Sequence, residues 1–244
     1  MGKDMTEDQA GRLAPVITVD GPSGAGKGTV SRLLAQRFGW HLLDSGALYR
    51  LLALAAMERG IALDAEQALE SLARELDVRF ESGEGGSERI VMDGREVSGE
   101  IRSEECGEAA SRVAANPAAR RGLVALQRAF RKAPGLVADG RDMGTVIFPE
   151  APLKVFLTAS AGERARRRHK QLKDKGISAN LAELESAIAE RDRRDRERAS
   201  SPLVPADDAV HLDTTRMSIS EVVDELHRLA ASRLGVGGSP GEPE

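Results

Sequence analysis

The sequence predicts an α/β fold on a five-stranded parallel sheet with helices on both faces, and three observations carry that prediction. Five short apolar runs, V-I-T-V-D (16–20), H-L-L-D (41–44), L-V-A-D (136–139), V-F-L-T (155–158) and V-H-L-D (210–213), are bounded by turn residues and followed by segments of helical period. Continuous apolar runs of this kind are the mark of strands buried on both faces, and their alternation with helices closes into a mostly parallel sheet. A glycine-rich run joins the first strand directly to the first helix, and only the stretch 77–98 breaks the alternation.

Helical periodicity covers 26–38, 46–59, 65–76, 103–115, 118–132, 161–174, 181–199 and 218–233, with Asn116-Pro117 separating the fourth helix from the fifth. The exception, D-V-R-F-E-S, G-E-G-G-S and R-I-V-M-D-G-R-E-V-S, reads as a hairpin of two or three short antiparallel strands, an inserted subdomain. The end, G-V-G-G-S-P-G-E-P-E (235–244), offers nothing to bury, and together with residues 1–14 it is expected to form flexible tails.

A chain of 244 residues, 41% hydrophobic, can bury one sizeable core, which suits one domain with insertions or one domain and a small satellite. The formal charge of -4 argues against a general polyanion or membrane-surface partner, although local basic clusters sit inside that average. The lone Cys106 makes no intrachain disulfide, no Cys/His spacing resembles a metal site, and a reducing compartment is expected. No signal-peptide run opens the chain and no stretch is apolar enough to span a bilayer, so the expectation is a cytoplasmic protein. Met1-Gly2 with Thr6 matches a myristoylation pattern too short to outweigh a polar tail.

The run D-G-P-S-G-A-G-K-G-T (20–29) leaves a strand and opens a helix, so successive backbone N–H groups and the positive helix end can converge on phosphate oxygens while Lys27 reaches the terminal phosphates. A surface turn would explain the first glycines but neither the second pair nor the lysine. The usual hydroxyl after the lysine is replaced by Gly28, with Thr29 one place late. Mg²⁺ would then be held mostly by nucleotide oxygens and water, with Thr29 on phosphate. This form resembles nucleoside monophosphate kinases rather than switch GTPases.

Further along, L-L-D-S-G-A-L-Y-R (42–50) ends a strand at Asp44, places Ser45 as helix cap and sets Arg50 just over a turn onward, a pattern also met by a plain capped helix. A-D-G-R-D-M-G-T (138–145) puts Asp139, Arg141 and Asp142 at the carboxyl end of the third strand, the ligand-binding edge of open sheets. Asp139 is placed like a Walker B acid, yet a solvent loop has the same composition. The run R-A-R-R-R-H-K-Q-L-K-D-K (164–175) suits a solvated face, an RNA patch or a lid, and charge alone favours the solvated face. In E-R-D-R-R-D-R-E-R (190–198), helical spacing gathers Arg191, Arg194, Asp195 and Arg198 on one side, which is equally the pattern of a salt-bridged surface helix.

In order, I-T-V-D-G-P-S-G-A-G-K-G-T, L-L-D-S-G-A-L-Y-R, V-S-G-E-I-R, A-A-S-R-V-A-A, A-D-G-R-D-M-G-T-V-I-F-P and E-R-D-x-R-D-R-x-R resemble the bacterial cytidylate kinases from Pro15 to about residue 230. The resemblance implies a P-loop NTPase-type core (15–44, 135–160, 191–234), a monophosphate-binding region (45–134) with a β insertion at 77–102, and a short lid (161–190). It implies ATP-dependent phosphorylation of CMP and dCMP with Mg²⁺; a monomer is expected, and the charge balance speaks against nucleic-acid polymer or membrane as partner. The donor site would be Gly21, Pro22, Ser23, Gly24, Ala25, Gly26, Lys27, Gly28 and Thr29, with lid candidates Arg164, Arg167 and Arg168. Arg50, Arg141 and Arg191 would hold the acceptor phosphate, Ser111 and Asp195 the ribose, and Ser45, Arg120 and Asp142 the cytosine edge. Arg198 would serve base or phosphate, and Lys27, Arg141 and Arg191 would be the catalytic cations.

A nucleotide-gated switch and an RNA-binding module are the competing classes. The chain has no N-K-x-D guanine-reading string, and at 3% aromatic it has little to stack on bases. A monophosphate kinase of other base preference, UMP/CMP or adenylate, remains the alternative within kinases.

Overall fold

The computed structural model describes residues 13–82, 88–174 and 176–235. Its main sheet contains β1 (Val16–Asp20), β2 (His41–Asp44), β6 (Leu136–Gly140), β7 (Leu153–Thr158) and β8 (Val210–Asp213) in the order β2-β6-β1-β7-β8, every pair parallel. The predicted five-stranded parallel sheet is therefore present, with β1 at its centre. Alternation along each strand divides the core into two layers. Ile17, Val19 and Val137 face one side, against α1 (Lys27–Phe38) and α8 (Ile219–Leu234). Val16, Leu136 and Ala138 face the other, against α2 (Ser45–Glu58), α4 (Glu104–Ala115) and α5 (Pro117–Ala129). The same side includes α3 (Glu66–Glu75), and α6 (Ala161–Asp174) and α7 (Leu181–Glu197) pack on each other.

The predicted insertion is a separate antiparallel sheet of β3 (Val78–Ser82), β4 (Glu88–Met92) and β5 (Arg95–Glu96). Its second turn is Asp93-Gly94, both at positive φ (50° and 79°), the Asp-Gly chemistry of a tight two-residue hairpin. The G-E-G-G-S loop (83–87), residues 1–12 and residues 236–244 lie outside the described residues.

Several boundaries differ from the sequence reading. β7 begins at Leu153 rather than 155, because Lys154 interrupts the apolar run while its ammonium pairs with Asp208 at 2.9 Å. α2 begins at Ser45 and is capped by Asp44, whose extended backbone lets its carboxylate accept the Ala47 N–H at 3.0 Å. Ser45 is thus the first helical residue, correcting its expected role as cap. α5 ends at Ala129, three residues early, and α7 at Glu197, two early. A single π-helical turn, Met143–Ile147, follows β6 where the sequence suggested only a loop. Among the described residues, no helix is long and apolar enough to cross a membrane.

Gly122 shows how tightly the second layer is packed. A Cβ there would lie 2.6 Å from the Ala73 Cβ and 2.9 Å from the Glu70 carbonyl, backbone that cannot swing aside. Alanine would gain about 1 kcal/mol of helix propensity, but overpacking costs about 1–3 kcal/mol. The clash should win: Gly122→Ala is expected to lower the urea midpoint at unchanged m-value, for a net loss of up to about 2 kcal/mol.

Candidate active site

At the carboxyl ends of β1, β2 and β6, a cleft of about 960 Å³ opens between the glycine-rich loop, α4, α6, α7 and the start of α8. The loop's course is set by its glycines. Gly21 leaves β1 at φ +147°, and a Cβ there would lie 2.0 Å from the Leu157 carbonyl oxygen on β7. Gly26, at φ +93°, then turns the chain into α1 and aims its first N–H groups at the cleft.

Lys27, the first residue of α1, is buried. Its ammonium donates to the Pro22 carbonyl at 3.0 Å and lies 3.9 Å from the Asp139 carboxylate. Burial, then the nearby Arg141 guanidinium, lowers the lysine's pKa, while burial raises that of Asp139. Asp139 pairs in register with Asp44 on β2, so two carboxylates floor the cleft beside the lysine.

The turn after β6 is anchored by a residue the sequence reading passed over. Asp20 accepts the N–H groups of Met143 and Gly144, both at 2.8 Å, and its burial pushes it up to about 6. An acid ending the central strand directly before the glycine run was the available signal. Arg141, on that turn, donates from Nε to Asp195 at 2.9 Å. Burial alone would raise Asp195, but the Arg141 charge and hydrogen bond outweigh it and hold the carboxyl below its usual range. The helical-spacing reading placed Asp195 among cations of its own helix. Arg191 and Arg198 do act on Asp195 through their charges, but Arg194 turns away to Glu108 on α4, at 2.6 and 3.0 Å, and the hydrogen-bonded partner of Asp195 is Arg141 from the turn after β6.

Arg191 faces the same space, and burial, then Arg141, pushes it down to about 10. Its Nε is a buried donor without a partner among the described residues, as are the Ser111 hydroxyl and Arg198 Nη2. Arg50 crosses from α2 to donate to the Ile101 and Ser103 carbonyls at 2.6 and 3.2 Å, passing Gly107, where a Cβ would lie 2.9 Å from its Nη2. Arg198, just past α7, donates from Nε to the Ser201 carbonyl at 2.5 Å.

One wall of the cleft is neutral overall but built from charge. Arg120 and Asp142 form a buried ion pair, Arg120 also donates to the Ala114 carbonyl at 3.0 Å, and its guanidinium lies 5.4 Å from the centre of the Tyr49 ring. Ser45 accepts a hydrogen bond from the buried Gln127 amide at 3.1 Å. Neither Tyr49 nor Gln127 was singled out by sequence, since each lies on a helical face that reads as core.

Of the residues named from sequence, Ser23 through Thr29, Ser45, Arg50, Ser111, Arg120, Asp139, Arg141, Asp142, Arg167, Arg168, Arg191, Asp195 and Arg198 line this one cleft. Gly21, Pro22 and Arg164 do not. Arg164, expected as a lid cation, is buried and fully engaged: it pairs with Asp192 at 2.5 and 3.0 Å and donates to the Ser23 and Ala159 carbonyls. Arg167 binds the Thr214 carbonyl at 2.7 Å, and Arg168 pairs with Glu104 on α4.

For Mg²⁺, no cluster of three or more His, Cys, Asp or Glu side chains able to hold a metal occurs among the described residues. What is present, Asp139 and Asp44 with Thr29 at the cleft, offers hard oxygen donors that fit an ion arriving on nucleotide phosphates rather than one held by protein alone.

The cytidylate kinase family model matches residues 17–232. The cytidylate kinase of Nitrosococcus oceani is 64% identical over 213 residues, covering 87% of this chain and 94% of its own. Those of Pseudomonas aeruginosa PAO1 and Aeromonas hydrophila subsp. hydrophila are 60% and 57% identical, covering 88% and 92% of this chain and 94% and 97% of theirs. The glycine loop, the arginines gathered opposite it and this likeness along nearly the whole length agree, and the chain belongs to the cytidylate kinase family.

Proposed function

We propose that this chain transfers the γ-phosphoryl group of ATP to CMP and dCMP, giving the diphosphates, by direct in-line displacement. The observation that carries the reading is the convergence of Lys27, Arg141 and Arg191 on one cleft, where burial and neighbouring cations lower Lys27 and Arg191 while the Asp195 carboxylate holds Arg141 up against its burial. Cations gathered out of water around few carboxylates attract a further anion, and the phosphates of two nucleotides meet that need.

The loop from Gly21 to Thr29 would cradle the donor phosphates, with Lys27 between the β- and γ-groups. Arg50, Arg141 and Arg191 would take the acceptor phosphate, and Ser111 and Asp195 the ribose. Ser45, Arg120 and Asp142 would read cytosine, with Arg198 beside base or phosphate, and Arg167 and Arg168 would close over the donor. An acceptor phosphate oxygen then attacks the γ-phosphorus while the surrounding cations spread the developing charge. Asp139 and Thr29 would stand beside Mg²⁺ arriving with ATP, which would supply charge neutralisation to the phosphates. The lid, 161–190, would move against the core and the acceptor region, 45–134, excluding water that would otherwise accept the phosphoryl group. The net charge of -4 and scarcity of aromatics support free nucleotides rather than polymers as ligands.

Base choice follows from donor and acceptor matching. An ionised Asp142 accepts only; it suits the N4 amino group of cytosine and opposes the O4 carbonyl of uracil. Its pairing with Arg120 still leaves acceptor capacity on the carboxylate.

ADP release measured over a panel of nucleoside monophosphates should be fastest with CMP and dCMP; no CMP-dependent turnover would refute the reading. Lys27→Met should lower kcat by about 10² or more while the protein still melts cooperatively, since the lysine acts on charge that develops in the transition state. A raised KM for ATP at normal kcat would contradict that role. Asp142→Asn should lower the ratio of kcat/KM for CMP over UMP by about 10- to 100-fold, corresponding to about 1–3 kcal/mol of discrimination. An unchanged ratio would assign base choice to Ser45 and Arg120.

A further inference from the structure

Asp192 does not line the cleft, yet it is 3% exposed on α7, one residue from Arg191 and three from Asp195. Its two carboxylate oxygens accept from both terminal nitrogens of Arg164, at 3.0 and 2.5 Å. That guanidinium in turn donates to the Ser23 carbonyl in the glycine loop at 3.0 Å and, from Nε, to the Ala159 carbonyl just beyond β7 at 2.9 Å. The Arg164 Cβ would also lie 3.1 Å from a Cβ added at Gly24, so the arginine stem backs the loop directly. Apart from the exposed Arg196, 3.7 Å away, no second cation is paired with Asp192 among the described residues. One bidentate fork thus joins the donor loop, the end of β7 and the helix that carries the acceptor-side Arg191 and Asp195.

We propose that Asp192 is a positioning residue for phosphoryl transfer: acting through Arg164, it fixes α7 against the Ser23–Gly24 segment and so sets the distance between the donor and acceptor phosphates. The inference rests on the kinase reading above. A fork with two parallel N–H···O bonds fixes both separation and angle, which a single charge contact does not. In-line transfer is sensitive to that separation, because an error of about 1 Å between reacting groups costs about 10²-fold in rate.

The test uses the full chain and compares Asp192→Asn, Arg164→Lys and the double variant with Leu69→Ala, a core deletion on α3, no residue of which lines the cleft. Steady-state kinetics with ATP and CMP are run beside thermal melts, at a temperature where each variant is folded. Asp192→Asn and Arg164→Lys are each expected to lower kcat by about 10- to 100-fold, and the double variant by no more than the worse single one, because both break the same fork. Leu69→Ala should lose melting temperature but keep kcat. Asp192→Asn retaining kcat, or the two losses multiplying, would overturn the proposal, as would a kcat loss in Leu69→Ala matching theirs at equal loss of melting temperature. If Asp192→Asn does not fold, Arg164→Lys with Asp192→Glu decides by the same criteria. Wild-type chain lacking CMP-dependent ADP release would instead refute the kinase reading, so the two failures are distinguishable.

Discussion

The buried carboxylate of Asp20 is the joint on which both halves of the site depend. It ends the central strand, and the residue after it, Gly21, begins the loop that would hold the donor. Its two oxygens bind the Met143 and Gly144 N–H groups, fixing the turn that carries Arg141 and Asp142. Burying a carboxylate is costly, which is why its pKa rises to about 6; the two backbone donors and nearby Lys27 offset part of that cost. The donor loop and the acceptor-side turn therefore hang from one residue of the most buried strand. A shift of β1 would displace both together, preserving their relation.

Charge is distributed around that joint on a consistent plan. Carboxylates sit beneath or behind the cations: Asp139 by Lys27, Asp195 by Arg141, Asp142 by Arg120 and Asp192 by Arg164. Buried pairs of this kind contribute little net stability, because desolvation consumes most of the attraction, but each fixes an orientation. Arg191 and Arg198 differ, each lining the cleft with a buried nitrogen unpartnered among the described residues and a pKa pushed down by burial, Arg191 to about 10. The contrast separates cations held as framework from those with donors left for a ligand.

The fold was legible because buried parallel strands announce themselves as apolar runs, and the hairpin because its pattern breaks the alternation. Capping was less legible: Asp44 and Ser45 are both good cap residues, and only the backbone conformation at Asp44 decides between them. Partners were least legible. Helical spacing reports neighbours within one helix, so it offered Arg191, Arg194 and Arg198 to Asp195, whereas the hydrogen-bonded partner, Arg141, approaches from a turn 54 residues away. Arg164 failed for the opposite reason. Within a run of arginines nothing in the sequence distinguishes the one turned inward toward Asp192 from those facing the cleft.

The displaced threonine of the glycine loop also has a steric cause. A Cβ at position 28 would lie 3.3 Å from Asp139 Oδ2, tighter than ordinary contact, and a hydroxyl-bearing side chain would extend further into the same space. A carboxylate so near the lysine and a side chain at position 28 compete for one volume. Glycine there lets Asp139 stay within 3.9 Å of Lys27 and keep its place at the cleft, and the hydroxyl moves one residue along the helix to Thr29, which still lines it. The spacing that looks irregular as a motif leaves, in three dimensions, more room for the Asp139 carboxylate beside the phosphate-binding lysine.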